Sequence, residues 1–315
     1  MRRRALTTVF AVVAVLGPTG CGQDDAPREE LSLGTGNSTG VYSVLGRGYA
    51  TLVAEKLPGW QVTAATTGGP KQNIDRIVGG QDDIGFSSLS WASDAITGQG
   101  AFQRPQPIRA LARLYLNYVQ VIVRSDVTRL QDLRGRAIST GSPGSTGELA
   151  AARLLSLAGL DVDKDLQRSK MSLDDSVERM KEGRLDAIFW SGGLPTAGVQ
   201  DLLGTLGRDV TILDLSAYYR QVNIRHPDVY ELVTIAPAGY GLPGPVRTMA
   251  EPNLLLVSDD MPAETARELT SVLMGNLPEM ATVHPEGRNI SRSAAASTDP
   301  VPLHSGALRW YRENP

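Results

Sequence analysis

From Leu31 onward, short apolar runs alternate with stretches of helical period, and glycine, serine and threonine crowd the junctions between them. Strand-like runs start at Leu31 (LSLG), Trp60 (WQVTAAT), Asp83 (DIGFS), Ile108 (IRALARL), Val119 (VQVIVR), Arg136 (RAIST), Asp186 (DAIFW) and Val210 (VTILDL). In PKQNIDRIVGG, Ile74, Ile77 and Val78 share one helical face, Pro70 suits the first helical position and Gly79 the stop. STGELAAARLLSLAGL puts Ala150, Leu154, Leu157 and Ala158 on one stripe, with Ser145 or Thr146 as N-cap and Gly159 as terminator. SLDDSVERMKEGRLDAIFW reads as a capped helix, a stop at Gly183 and a strand; Asp174 and Asp175 suit the positive end of that helix better than a catalytic pair. This alternation predicts an α/β fold with a parallel sheet and helices on both faces.

The alternation has two phases, one up to about residue 118 and a second from VQVIVRSDVTRLQDLRGRAIST onward. A chain of 315 residues can bury one large core or two moderate ones. No composition-biased linker parts the phases, so two lobes joined by crossing strands are expected. Two lobes make a cleft, and ligands of open α/β sheets sit beyond the carboxyl ends of the strands.

The loop LGTGNSTGVY, residues 33–42, follows a strand and precedes a helix. Its Gly34, Gly36 and Gly40 are spaced one residue too long for the dinucleotide fingerprint, and WQVTAAT ends in threonines where an acidic ribose reader is needed. No G-K-[ST] triplet occurs, so a P-loop is excluded. What remains is a set of backbone N–H groups and hydroxyls at a helix N-terminus, suited to something as small as a carboxylate. The design recurs in TTGGP (66–70), GSPGSTG (141–147) and WSGGLPT (190–196), two loops per phase. Loops in matching topological places are expected to converge on one cleft. A neutral hydrogen bond contributes about 0.5–1.5 kcal/mol net and one to a charged group about 1.5–3, so several donors must act together.

Other classes of function fit poorly. A net charge of -3 offers no footprint for nucleic acid, and 41% hydrophobic with 21% charged residues argues against disorder. His226, His284 and His304 lie far apart and outside the four loops, so each is expected to be structural. The chain has no H-E-x-x-H, no Cys/His cluster and no G-x-S-x-G, which argues against a metal centre or a nucleophile elbow; no cofactor and no metal are expected. Tyr42, Tyr115 and Trp190 stand where they could wall the cleft, and an aromatic face can hold an ammonium.

The first segment is a leader. MRRR is a positive n-region, ALTTVFAVVAVLG an apolar run too short to span a bilayer comfortably, and TGC the cleavage region. Cys21 is the sole cysteine and resembles the acceptor of a bacterial lipoprotein, although Pro18 stands where leucine is usual. One lipidated N-terminus tethers an otherwise soluble chain to the membrane. Losing Arg2, Arg3 and Arg4 with the leader leaves 28 cationic residues against 34 acids, a net charge of -6. GQDDAPREE then serves as a stalk. The expected division is a signal peptide over 1–20, a lipidated terminus and linker over 21–30, lobe I over 31–118, lobe II over 119–250, and a return segment with a C-terminal helix of lobe I over 251–315.

The loops in this order, with RALARLYLNYVQVIVRSDVTRLQDLRGRAISTGSPGSTGE, EGRLDAIFWSGGLPT, EPNLLLVSDDMP and PLHSGALRWYRE, resemble the TAXI (TRAP-associated extracytoplasmic immunogenic) family over residues 31–312. The resemblance implies a two-lobed type II periplasmic-binding-protein fold with a central ligand cleft. It implies a small carboxylate or amino-acid ligand, with glutamate or glutamine the commonest expectation, and a TRAP-type integral-membrane permease as partner. Carried onto this chain, the pocket candidates are Gly36, Thr39, Gly40, Tyr42, Thr67, Asn73, Ser87, Tyr115, Ser142, Ser145, Thr146 and Trp190. The family usually carries Tyr-Pro-Glu where this chain has Tyr115-Leu116-Asn117; a neutral amide in place of an acid would favour a more anionic ligand. The expected function is an extracytoplasmic, lipid-anchored, non-enzymatic, monomeric receptor that closes on its solute. The alternative is a sensor of the same fold coupled to a membrane histidine kinase.

Overall fold

The computed structural model describes residues 29–36 and 40–315. The expected leader, Cys21 and Thr39 lie outside those residues. In chain order the main elements are β1 (Glu29–Gly34), α1 (Val41–Lys56), β2 (Trp60–Ala65), α2 (Pro70–Val78), β3 (Ile84–Ser88), α3 (Leu89–Thr97), β4 (Ile108–Arg124), β5 (Ala137–Ser139) and α4 (Thr146–Leu157). They continue with β6 (Gln167–Ser169), α5 (Leu173–Lys181), β7 (Ala187–Gly192), α6 (Ala197–Leu206), β8 (Val210–Ile212), α7 (Ser216–Arg225), β9 (Glu231–Ile235) and β10 (Val246–Ser258). The last are α8 (Ala263–Gly275), α9 (Leu277–Val283), α10 (Arg292–Ala295) and α11 (Ser305–Glu313).

Local chemistry sets these boundaries. Pro70 opens α2, and Ile74 and Ile77 are buried beneath it. Ser145 caps α4 by accepting the Glu148 N–H at 3.2 Å, and Ser172 caps α5 by accepting the Asp175 N–H at 3.1 Å. Asp174 and Asp175 sit in the first turn of α5, with Arg179 and Lys181 in its last, which complements the helix dipole at both ends. His284 and His304 also act as caps, accepting the N–H of Glu286 and Gly306 at 3.0 and 3.2 Å.

The strands form one ten-stranded sheet in the order β2-β1-β3-β10-β4-β7-β5-β6, with β8 on β4 and β9 on β10. The sheet is mixed, which corrects the all-parallel expectation. β2-β1-β3 and β6-β5-β7 are parallel blocks, and the antiparallel strands β4 and β10 stitch them together. The runs starting at Ile108 and Val119 are one 17-residue strand, not two. Tyr115 and Asn117 between them are buried, so the polar break in the sequence is the passage of the strand from one lobe to the other. β10 makes the return passage: Val246–Ala250 pairs with β9 and Asn253–Val257 with β3. The expected lobe boundaries at 118/119 and 250/251 therefore fall inside these two strands. Each lobe keeps its own core, around Leu33, Tyr49 and Leu269 in the first and Val121, Ile138 and Leu154 in the second.

The lobes touch away from the strands as well. Arg153 on α4 donates to Asp94 on α3 at 2.6 Å and to the Tyr230 hydroxyl at 2.9 Å, and both charged side chains are only 7% exposed. Burial pushes the Asp94 carboxyl above its ordinary value, and the Arg153 charge offsets that only in part. Removing one member of such a pair strands the other charge, at a cost of about 3–5 kcal/mol. Arg153→Ala is therefore expected to lower unfolding free energy by that amount in urea titrations. Arg113→Ala, which opens the more exposed Arg113–Glu231 pair, should change it by about 1 kcal/mol or less.

Candidate ligand site between the lobes

Three of the four glycine-bearing loops meet through the backbone. The Thr67 N–H donates to Gly36 C=O at 3.1 Å and the Lys71 N–H to Gly144 C=O at 3.4 Å. Trp91 Nε1 of α3 donates to Ser145 C=O at 3.2 Å, so the α4 N-terminus of the second lobe lies against the first. The fourth loop adjoins this cluster through β7. At Gly147 in the first turn of α4 a Cβ would stand 3.1 Å from Phe189 C=O, so a larger residue would press the helix start away from the strand by a few tenths of an ångström. The fourth loop is also bridged from the other lobe: the Leu194 N–H donates to Glu286 Oε1 at 3.1 Å.

Between these helix N-termini the crossover strands present a buried polar cluster. Asn117 of β4 stands directly opposite Glu251 of β10, and side chains of directly opposed residues project from the same side of a sheet. The Tyr42 hydroxyl, from the first turn of α1, donates to Asn253 Oδ1; Asn117 Nδ2 donates to the same oxygen at 3.0 Å. Asn253 Nδ2 donates to Tyr115 C=O at 3.1 Å. Glu251 Oε2 accepts the Ser90 N–H at 2.7 Å in the first turn of α3. Among the described residues its other oxygen, Oε1, has no partner, and neither do Gln120 Nε2 of β4 and Ser191 Oγ of β7. Ser191 pairs with Val119, two residues from Asn117, which puts it on the Asn117–Glu251 side of the sheet. Gln120 pairs with Trp190 on the other side. Native interiors leave few buried polar atoms unpaired; Glu251 Oε1 and Ser191 Oγ stand unpaired on one side of the sheet and Gln120 Nε2 on the other.

The predicted residues divide three ways. Tyr42 joins the crossover cluster, and Tyr115 lends it a carbonyl; Tyr42 stacks on Phe86 with ring centroids 5.0 Å apart. Gly36, Gly40, Ser142, Ser145 and Thr146 lie on the strand-to-helix loops or helix starts, Gly40 as N-cap of α1 and Ser145 of α4. Asn73 and Thr67 use their side chains internally. Asn73 Nδ2 donates to Thr35 C=O and Phe86 C=O at 2.7 and 2.8 Å, tying β1 to β3, and its Oδ1 accepts the Thr67 hydroxyl at 2.6 Å. Ser87 is fully buried and donates to Ser88 C=O. Trp190 lies on the Gln120 side, with Nε1 donating to Thr196 Oγ1 at 3.0 Å. The expectation of a more anionic ligand from Asn117 loses its basis, because Glu251 supplies a carboxylate directly across the strand pair. Glu251, Asn253, Gln120 and Ser191 were not singled out from the sequence. The available signal was the polar pair Glu251 and Asn253 flanking Pro252 just before the apolar run LLLV.

The architecture is that of two-lobed periplasmic binding proteins. It is similar to the binding-protein component of an ABC phosphonate transporter from Pseudomonas aeruginosa, at TM-score 0.57 and 12% identity over 84% of this chain and 80% of that one. It is similar to XAC2383 from Xanthomonas citri, solved with ATP, at 0.55 and 16% over 91% and 100%. It is also similar to the aliphatic sulphonate binding protein SsuA from Escherichia coli, at 0.50 and 14% over 90% and 83%. The chain itself belongs to the NMT1-like family, whose model matches residues 33–314.

Burial raises the Glu251 carboxyl from its ordinary 4.5 to about 7, more than the Ser90 contacts and the Arg153 charge hold it down. The folded protein thus keeps this proton over a range where the unfolded chain has lost it. Its stabilising effect is complete below about pH 4.5 and is lost as pH rises through about 7. The loss is on the order of 3 kcal/mol. Glu251→Gln cannot ionise, so its stability relative to the parent, in ligand-free chemical denaturation, should rise by that order between pH 5 and pH 8. A constant difference across that range would contradict the assignment.

Proposed function

We propose that this protein is an extracytoplasmic solute receptor that takes a small organic anion, an amino acid or a dicarboxylate, between its lobes and delivers it to a membrane permease. The observation that carries the reading is the pair of buried polar atoms without a partner among the described residues, Glu251 Oε1 and Ser191 Oγ, on one side of the strands where the lobes join. Helix N-termini from both lobes flank that point and supply N–H donors for a carboxylate. A solute that touches both lobes binds the closed arrangement better than an open one and shifts the equilibrium towards it. The binding-protein components of transporters that share the fold support capture rather than catalysis. The leader and Cys21 favour a lipid-anchored protein on the outer side of the membrane, and the loop order favours a TRAP-type permease of the TAXI kind as partner. Among the described residues no helix is long and apolar enough to cross a membrane.

Thermal-shift measurements on the purified protein test this. A solute at one hundred times its Kd adds about 2.7 kcal/mol of stability, and glutamate, glutamine or a small dicarboxylate should raise Tm. If none does while sulphonates or phosphonates do, the solute class is wrong and the receptor reading stands; if no small solute raises Tm, the receptor reading fails. Thr146→Val, which removes a hydroxyl from the first turn of α4, should weaken binding about tenfold and leave Tm of the free protein nearly unchanged. Unaltered affinity in calorimetry would take Thr146 out of the site.

A further inference from the structure

We propose that the cavity on the flank of the lobe seam, between α3, α4 and α7, is a second ligand site, shaped for a small organic monoanion with a flat apolar body, such as an aryl carboxylate. It is separate from the solute site proposed above and does not depend on it.

The cavity holds about 270 Å³ and takes its walls from both lobes. Asp94, Gln99 and Gly100 come from the end of α3 and the turn after it, in the first lobe. The rest of the wall is α4 and the end of α7, in the second. None of these residues belongs to the polar cluster at the strand crossing. An apolar cavity of about 150 Å³ holds a benzene, so the volume here accommodates one ring and a charged substituent.

The wall decides the chemistry. Leu149, Ala152, Ser156 and Leu157 recur at helical spacing, so one stripe of α4 faces the gap. Leu149 and Leu157 are only half-buried, whereas Leu154 and Leu155 of the same helix lie in the core. The stripe therefore keeps apolar surface that a ring can remove from water.

The charge around the cavity is positive. Asp94 is the one acid in its lining, and Arg153 already holds it at 2.6 Å. Arg225, in the last turn of α7, is exposed and makes no ion pair among the described residues. One cation is left over. His226 responds to the same field: burial first, then the Arg153 and Arg225 charges, hold its imidazole down to about 4. It is neutral at pH 7 and offers a hydrogen bond without a charge of its own. A cationic ligand would meet Arg153 and Arg225, and a neutral one would leave Arg225 unpaired. A carboxylate at the rim, on the Arg225 guanidinium, with its ring on the α4 stripe, meets both demands. Such a ligand touches both lobes, so it favours the arrangement seen over one with the seam parted.

The test is a two-dimensional amide NMR titration of the purified protein with benzoate, benzamide and benzamidine. The three share a shape and carry a negative, no and a positive charge. Benzoate should shift the Gly100 and Ser156 amides saturably and bind about tenfold more tightly than benzamide, with benzamidine the weakest. Arg225→Gln alters an exposed side chain, so it should leave Tm unchanged and bring benzoate down to the affinity of benzamide. No saturable shift with benzoate, equal affinity for the three probes, undiminished benzoate binding in Arg225→Gln, or shifts confined to the crossing around Asn117 and Ser191 would overturn the inference. None of these results bears on the receptor reading, which is tested with other solutes.

Discussion

The antiparallel register of β4 with β10 is the constraint on which the rest of the structure depends. It carries the chain from one lobe to the other and back, and it places Asn117 opposite Glu251 where the two passages cross. Pairing slips between Pro252 and Leu254 and again between Leu255 and Leu256, so the strands are irregular just past the crossing. Polar side chains at a crossing buried from both sides would be a poor choice for stability alone. Their cost makes sense under the proposed function, in which a molecule from solution completes the network beside the first turn of α3.

Contacts on two sides of the crossing hold the lobes in the arrangement seen. Arg153 and Asp94 join α4 to α3, and Glu286, from the turn after α9, accepts the Leu194 N–H at the start of the α6 loop. Burial raises the Glu286 carboxyl, so this contact too costs desolvation. Buried ionic contacts of this kind add little net stability compared with apolar packing, but they are exacting about geometry. They therefore specify one arrangement of the lobes rather than a continuum, which suits the proposed closure on a solute.

The two parallel blocks were legible in the sequence because each strand-to-helix unit carries its own apolar run, cap and glycine stop, as in β5–Ser145–α4 and α5–Gly183–β7. The mixed sheet was not. β10 follows the turn-rich GYGLPGP, but its pairings with β3 and β4 are fixed by contacts across more than a hundred residues of chain, which no local pattern encodes. YLNY looked like a break in β4 because its polar residues serve the crossing rather than a core. The loops of the site were legible from glycine, serine and threonine content. Its floor was not, since Glu251 and Ser191 become a pair only through the register of three strands. Asn73 shows the opposite error in emphasis: a polar residue in a promising loop whose donors tie β1 to β3.

The central claim is that the lobes close over a solute seated on the β4–β10 crossing. Spin labels at Glu55→Cys on α1 and Thr205→Cys on α6, both exposed and on opposite lobes, report it by pulsed dipolar spectroscopy. A broad inter-lobe distance distribution that collapses to its short component when a tightly bound solute saturates the protein is the predicted result. A distribution that stays the same at saturation would contradict the account.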